Sequence, residues 1–157
     1  MKRLSVIFGV ILASLFVFSV AGSGLAEEKA TREECVVRCK IASKLIQKIG
    51  LEAALKKIND PNGPFIWKDT YVFVFEDETC KILAHKRPRI IGFVARDLKD
   101  VNGKLYFHEF LQLAHTKGEG WVSYMYPKTR GAEPEPKTSY ILNVPGEKVI
   151  VGAGIWQ

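Results

Sequence analysis

The stretch Thr70-Tyr71-Val72-Phe73-Val74-Phe75 decides the fold. It is aromatic and β-branched and carries no charge, a composition that suits a pleated, packed surface. Its apolar residues fall on both alternating faces, which predicts a central strand covered on each side. Going forward, Glu76-Asp77-Glu78-Thr79 makes a polar turn, and Cys80 to His85 returns as the second arm of a hairpin. Going back, Asn59-Asp60-Pro61-Asn62-Gly63-Pro64 is dense turn chemistry.

Before that turn the apolar period lengthens to that of a helix. Thr31 to Ile49 is amphipathic, with Thr31 and Glu34 spaced as a capping box. Val37, Ile41, Leu45 and Ile49 recur every four residues, and Ala42 and Ile46 widen the stripe expected to face the core. Gly50 is a plausible stop, and Leu51 to Ile58 forms a second short helix. After the hairpin, Lys86 to Gly103 is a long connection holding a helical turn near Ala95 to Leu98. Leu105 to Lys117 is helical, with Leu105, Phe107, Phe110, Leu111 and Ala114 on its apolar face. Gly120 to Tyr126, Thr138 to Val144 and Val149 to Ile155 complete five strands, with a Pro/Lys/Glu-rich hairpin loop at 127–136. The order of helices, hairpin, helical crossover and three strands predicts an α+β fold. One antiparallel sheet packs on the N-terminal helix, and a cavity lies beneath the crossover.

The 157-residue chain opens on Lys2 and Arg3, an uncharged run from Leu4 to Val20, and the small-residue exit Gly24-Leu25-Ala26. That order predicts a secretory signal peptide over residues 1–26, cut after Ala26, and one domain over 27–157. An uncleaved anchor is the alternative, although the run is shorter than the ~20 residues a spanning helix needs. The domain is then periplasmic or secreted and soluble. The net charge of +6, of which the leader carries two, speaks to solubility. Cys35, Cys39 and Cys80 are odd in number and fit no Cys-x-x-Cys, haem or zinc spacing, so they read as small apolar residues. A bridge from one of the first two to Cys80 remains open.

The ordered set Asn62-Gly63-Pro64-Phe65, Tyr71-Val72-Phe73-Val74, Leu83-Ala84-His85, Asp97-Leu98-Lys99-Asp100, Gly118-Glu119-Gly120-Trp121, Tyr124, Tyr126-Pro127-Lys128, Pro136-Lys137-Thr138-Ser139-Tyr140 and Val151-Gly152-Ala153-Gly154-Ile155 resembles single Cache domains of type 2 over about residues 31–156. The resemblance implies a PAS-like Cache fold outside the cytoplasm, with a long N-terminal helix, a helical crossover and a five-stranded antiparallel sheet. It also implies binding of a small molecule, often a short carboxylate or amino acid. Such domains usually sit between membrane segments of a chemoreceptor or histidine kinase. The chain has no apolar run of membrane length after the leader, so the reading is a free-standing periplasmic form. It would hand its signal to a membrane-bound signalling or transport partner. Two departures stand out. The family's His-Pro pair is His85-Lys86 here, and its closing Gly-Ile-Tyr is Gly154-Ile155-Trp156, a change expected to matter little.

A carboxylate taken from water needs a cation and several donors. Lys137 at the opening of the fourth strand is the candidate cation, and Tyr124, Tyr126 and His85 the candidate donors. Tyr71, Phe73 and Trp121 would form the walls. Tyr140 belongs to the motif, but the pleat sets it on the face opposite Lys137. Plain core packing is the competing reading for the aromatics, and a solvated loop for Lys137. The basic group His85, Lys86, Arg87 and Arg89 lacks the interleaved aromatics of a nucleic-acid platform, so no nucleic-acid partner is expected. It reads as a solvated loop, facing an acidic partner or lipid head groups. His108 and His115 lie seven apart rather than in His-Glu-x-x-His, and no Gly-x-Ser-x-Gly elbow occurs. No catalytic residue, metal ligand or cofactor is expected, and the chain reads as a binding module rather than an enzyme. The remaining alternatives are a structural or protein-interaction module without a small ligand and, further off, a metal-dependent enzyme.

Overall fold

The protein is seen in a computed structural model that describes residues 28–157; the expected leader and its cut lie outside the described residues. Two helices come first, α1 (Arg32–Ile49) and α2 (Leu51–Ile58). They are followed by β1 (Ile66–Trp67), β2 (Thr70–Glu76), β3 (Ile82–Ala84), α3 (Tyr106–Lys117), β4 (Glu119–Pro127), β5 (Pro134–Asn143) and β6 (Val149–Trp156). The strands form one antiparallel sheet in the order β1-β2-β6-β5-β4, with β3 also paired to β2. This is the expected α+β fold, with the two-residue β1 added to the five anticipated strands. Among the described residues no helix is long and apolar enough to cross a membrane.

β2 is the covered strand its composition predicts: six of its seven residues are buried, and the five apolar ones divide between two cores. Tyr71, Phe73 and Phe75 face α3 and the crossover, while Val72 and Val74 face α1. The capping box at Thr31 and Glu34 forms, with each side chain taking the other's backbone N–H.

Three expectations need correction. The stripe Val37, Ile41 and Ile49 faces water rather than the core; α1 instead buries Cys35, Cys39, Ala42, Ser43 and Ile46. Both stripes have helical spacing. The small one lets the helix axis approach the sheet closely, and close packing decides between them. In the crossover, the short helical segment is a 3₁₀ turn at Pro88–Ile90 with proline in its first turn, while Ala95 to Leu98 makes only a single turn. β5 begins at Pro134, inside the expected loop. Its first residues pair with β4 alone, since β6 ends opposite Lys137. Prolines lacking a ladder donor are tolerated at such an edge.

All three cysteines are buried and unpaired. Cys35 and Cys39 lie in the α1 layer and Cys80 in the α3 layer, so the sheet stands between them and no bridge joins them.

On the α3 side β6 is bare at Gly152 and Gly154. A Cβ at Gly152 would overlap the Phe73 ring and stand 3.0 Å from Ile141 Cδ1. Gly152→Ala is therefore expected to cost about 2–3 kcal/mol through overpacking. The check is a lower urea midpoint at unchanged slope; an unmoved midpoint would show that the ring has room to yield.

Candidate ligand-binding site

The two glycines leave a trough along the middle of the sheet. Phe73 lies across Gly152, and the Lys137 stem lies over Gly154, where a Cβ would stand 3.0 Å from its Cε. Above the trough is a cavity of about 200 Å³. The sheet supplies its floor, α3 closes the apolar end with Tyr106, Phe107 and Phe110, and the crossover supplies His85, Phe93 and Leu98.

Lys137 is the group that needs explaining. It lies mid-strand, paired across to Tyr124 on one side and Trp156 on the other, and is 1% exposed. Its Nζ donates one long hydrogen bond, 3.4 Å, to the Tyr71 hydroxyl. It also sits 4.0 Å from the Trp156 ring centre, 4.6 Å from Tyr71 and 5.0 Å from Tyr126. Such ring faces attract a cation, but they do not replace an anion or a full set of acceptors. Among the described residues Lys137 makes no ion pair. The buried carboxylate Asp69 accepts from the Ala30 N–H at 2.9 Å and meets Lys128 at 3.4 Å instead. Burial lowers the lysine's pKa to about 7, with further lowering from Arg87 and Lys86.

Donors surround it. The His85 ring is edge-on to Tyr71 at 4.5 Å. Its Nδ1 accepts the Arg87 backbone N–H at 2.9 Å, so in the neutral ring the proton belongs on Nε2. Burial, and next to it the charge of Lys137, holds this histidine neutral, with a pKa down at about 2. The Tyr124 hydroxyl is already engaged with Ser139 at 3.0 Å, and its ring stacks on Tyr106 at 4.4 Å. Arg87 latches the roof: its Nη2 donates to the carbonyls of Pro127 at 2.8 Å and Lys128 at 3.1 Å, tying the crossover to the β4–β5 hairpin.

Of the eight residues singled out from sequence, Tyr71, Phe73, His85, Tyr124, Tyr126 and Lys137 line this cavity. Trp121 and Tyr140 do not. They face each other in the α1 layer with ring centres 5.5 Å apart, and Tyr140 bonds the Glu119 carboxylate. Trp121 is three residues from Tyr124, so the same pleat that excluded Tyr140 excludes it. Trp156 was overlooked. It shares the face of Gly152 and Gly154, a period of two that marks it as a neighbour of Lys137, so the departure from the family's tyrosine falls beside the buried cation. His108 and His115 each meet a separate carboxylate, Asp97 at 3.3 Å and Asp77, and form no common site.

Comparison with known proteins agrees with this fold. The model of the Cache domain family matches residues 37–156. A stretch of 88 residues, 56% of the chain, is 28% identical to the methyl-accepting chemotaxis protein McpP of Pseudomonas putida, and covers 16% of that protein's length. A Cache chemosensory domain solved for its carboxylic acid recognition superposes with a TM-score of 0.68 at 25% identity, over 79% of this chain and 91% of that one. The periplasmic sensor domain of a chemotaxis protein superposes at 0.62 with 23% identity, over 79% and 88%, and a methyl-accepting chemotaxis protein from Vibrio parahaemolyticus at 0.65 with 18%, over 79% and 86%; these two speak to the fold alone.

Proposed function

The chain belongs to the Cache domain family, and from that premise we propose that it is an extracytoplasmic sensor that binds a short carboxylate without transforming it. The observation that carries this reading is Lys137: a buried ammonium with no ion pair among the described residues, facing a cavity walled by tyrosine, phenylalanine and histidine. A carboxylate entering there exchanges water for a charge-assisted bond in a low dielectric. The same lining favours a simple acid over an amino acid, because none of its residues is acidic and an α-ammonium would find no ion-pair partner in it. The carboxylic acid recognition studied in a structural relative supports the choice of ligand class. The occupied state would be read by a membrane-bound signalling or transport partner.

The test compares two- to four-carbon monocarboxylates with their isosteric amides by thermal shift and calorimetry. Carboxylates are expected to raise the melting temperature by mass action, about 2.7 kcal/mol of stabilisation at a hundred times Kd, and amides to have no effect. Equal stabilisation by acid and amide would remove the ammonium from the recognition.

A further inference from the structure

A second, more open cavity of about 750 Å³ adjoins the first and shares Tyr71 and Ile90 with it. Its lining holds five cations, Lys86, Arg87, Arg89, Lys128 and Arg130, and no acidic residue. Lys86, Arg89 and Arg130 are exposed and make no ion pair among the described residues, whereas Lys128 meets Asp69 at 3.4 Å. Arg87 commits only Nη2 to its two carbonyls, so Nε and Nη1 keep donors in a fixed fork. Two segments distant in sequence, the crossover and the hairpin, thus bring like charges to one mouth, directly outside a buried ammonium that is itself unpaired.

The spacing limits what such a mouth can hold. Tyr126 touches both sets of cations: its ring centre is 5.0 Å from the Lys137 ammonium and 5.6 Å from the Arg87 guanidinium carbon. The two charges can be no farther apart than those distances laid end to end. With each acid group about 2.8 Å from its cation, the remaining gap is at most about 5 Å, which a four-carbon diacid can span and a much longer one overshoots.

We propose that the basic mouth is a second anion subsite and that the preferred ligand is a dianion. One carboxylate meets Lys137, and a second acid group, carboxylate or phosphate-like, meets Arg87, Arg89 and Arg130. This rests on the carboxylate reading above. The exposed arginines also focus a positive field on the opening, which draws in anions at low salt.

The experiment is calorimetric titration of the protein with butyrate, succinate and 3-phosphonopropionate, repeated with Arg89→Glu combined with Arg130→Glu. Both arginines are exposed and, among the described residues, make no side-chain hydrogen bond or ion pair. Succinate or 3-phosphonopropionate is expected to bind at least tenfold tighter than butyrate, and the tighter of the two identifies the second group. The double charge reversal is expected to erase that gap by weakening the dianions far more than butyrate, and added salt is expected to weaken the dianions more steeply than butyrate. The inference is overturned if neither dianion outbinds butyrate, or if the gap survives the reversal. The butyrate arm tests the inner site: butyrate bound without a dianion preference sinks only the outer subsite, and failure of all three acids to bind sinks both readings.

Discussion

Lys137→Met is expected to weaken carboxylate binding at least a hundredfold and, at the same time, to raise the melting temperature of the unliganded protein. The two effects share one cause. An ammonium that is 1% exposed, with one long hydrogen bond and no ion pair among the described residues, is stabilised less by its surroundings than by water. Methionine follows the same path over Gly154, keeps the contacts to the aromatic walls and carries no charge to desolvate. Gains of about 1–4 kcal/mol accompany comparable replacements of buried ionic groups, or roughly 3–10 °C in a domain of this size. The hundredfold loss corresponds to about 2.7 kcal/mol, the lower part of the range for removing one partner of a buried charge pair. Denaturation and calorimetry on the same preparation check both arms. A variant that is less stable than wild type and still binds would make Lys137 a structural residue.

Affinity for a carboxylate is expected to fall about tenfold per pH unit above pH 7, so that Kd at pH 9 is roughly a hundred times that at pH 6, because only the charged lysine is competent to bind. Lys137 has its pKa lowered to about 7, and the groups facing it do not titrate in this window. His85 stays neutral down to about 2, burial pushes the Cys35 thiol up to about 12, and burial also raises Tyr71, Tyr124 and Tyr126. The stability effect has the opposite sign. The folded pKa lies below the ordinary 10.5, so the cost of the buried charge is full below about pH 7. It is relieved between about 7 and 10.5, where the unfolded chain holds a proton the native one has released. The stability of the unliganded wild type relative to Lys137→Met therefore rises with pH over the range in which binding weakens. Titrations at pH 8 in buffers of different ionisation heat should show close to one proton taken up per ligand. A Kd that is flat from pH 6 to 9 with no proton uptake would contradict the assignment.

The fold was legible wherever a single periodicity ruled. β2 reads as a doubly covered strand because Tyr71, Phe73 and Phe75 alternate with Val72 and Val74 and both sets are apolar. α1 carried two helical stripes, and residue size rather than hydrophobicity chose between them. Counting apolar residues therefore favoured Val37 and Ile41, which the fold leaves outside. The site was legible through the pleat: Tyr124 with Tyr126, and Tyr71 with Phe73, share faces by spacing, whereas Trp121 is set by the same arithmetic on the far side. The burial of Lys137 was not visible. It depends on Gly154 lying beside it in another strand and on a crossover roof that joins residues far apart in the chain. The basic mouth was half visible: Lys86, Arg87 and Arg89 are neighbours in sequence, but Lys128 and Arg130 join them only through the hairpin.

The placement of the thiols has a practical consequence. Cys35 and Cys39 answer to one layer and Cys80 to the other, all three inaccessible in the native state and poorly ionised. A chain with an odd number of thiols would ordinarily risk scrambled oxidation; here the native state withholds every sulfur from exchange. Alkylation then becomes a clock for opening events. Matched labelling rates at the helix pair and at Cys80 would mean that the two layers part in one cooperative step, and a faster rate at either would identify the layer that peels away first.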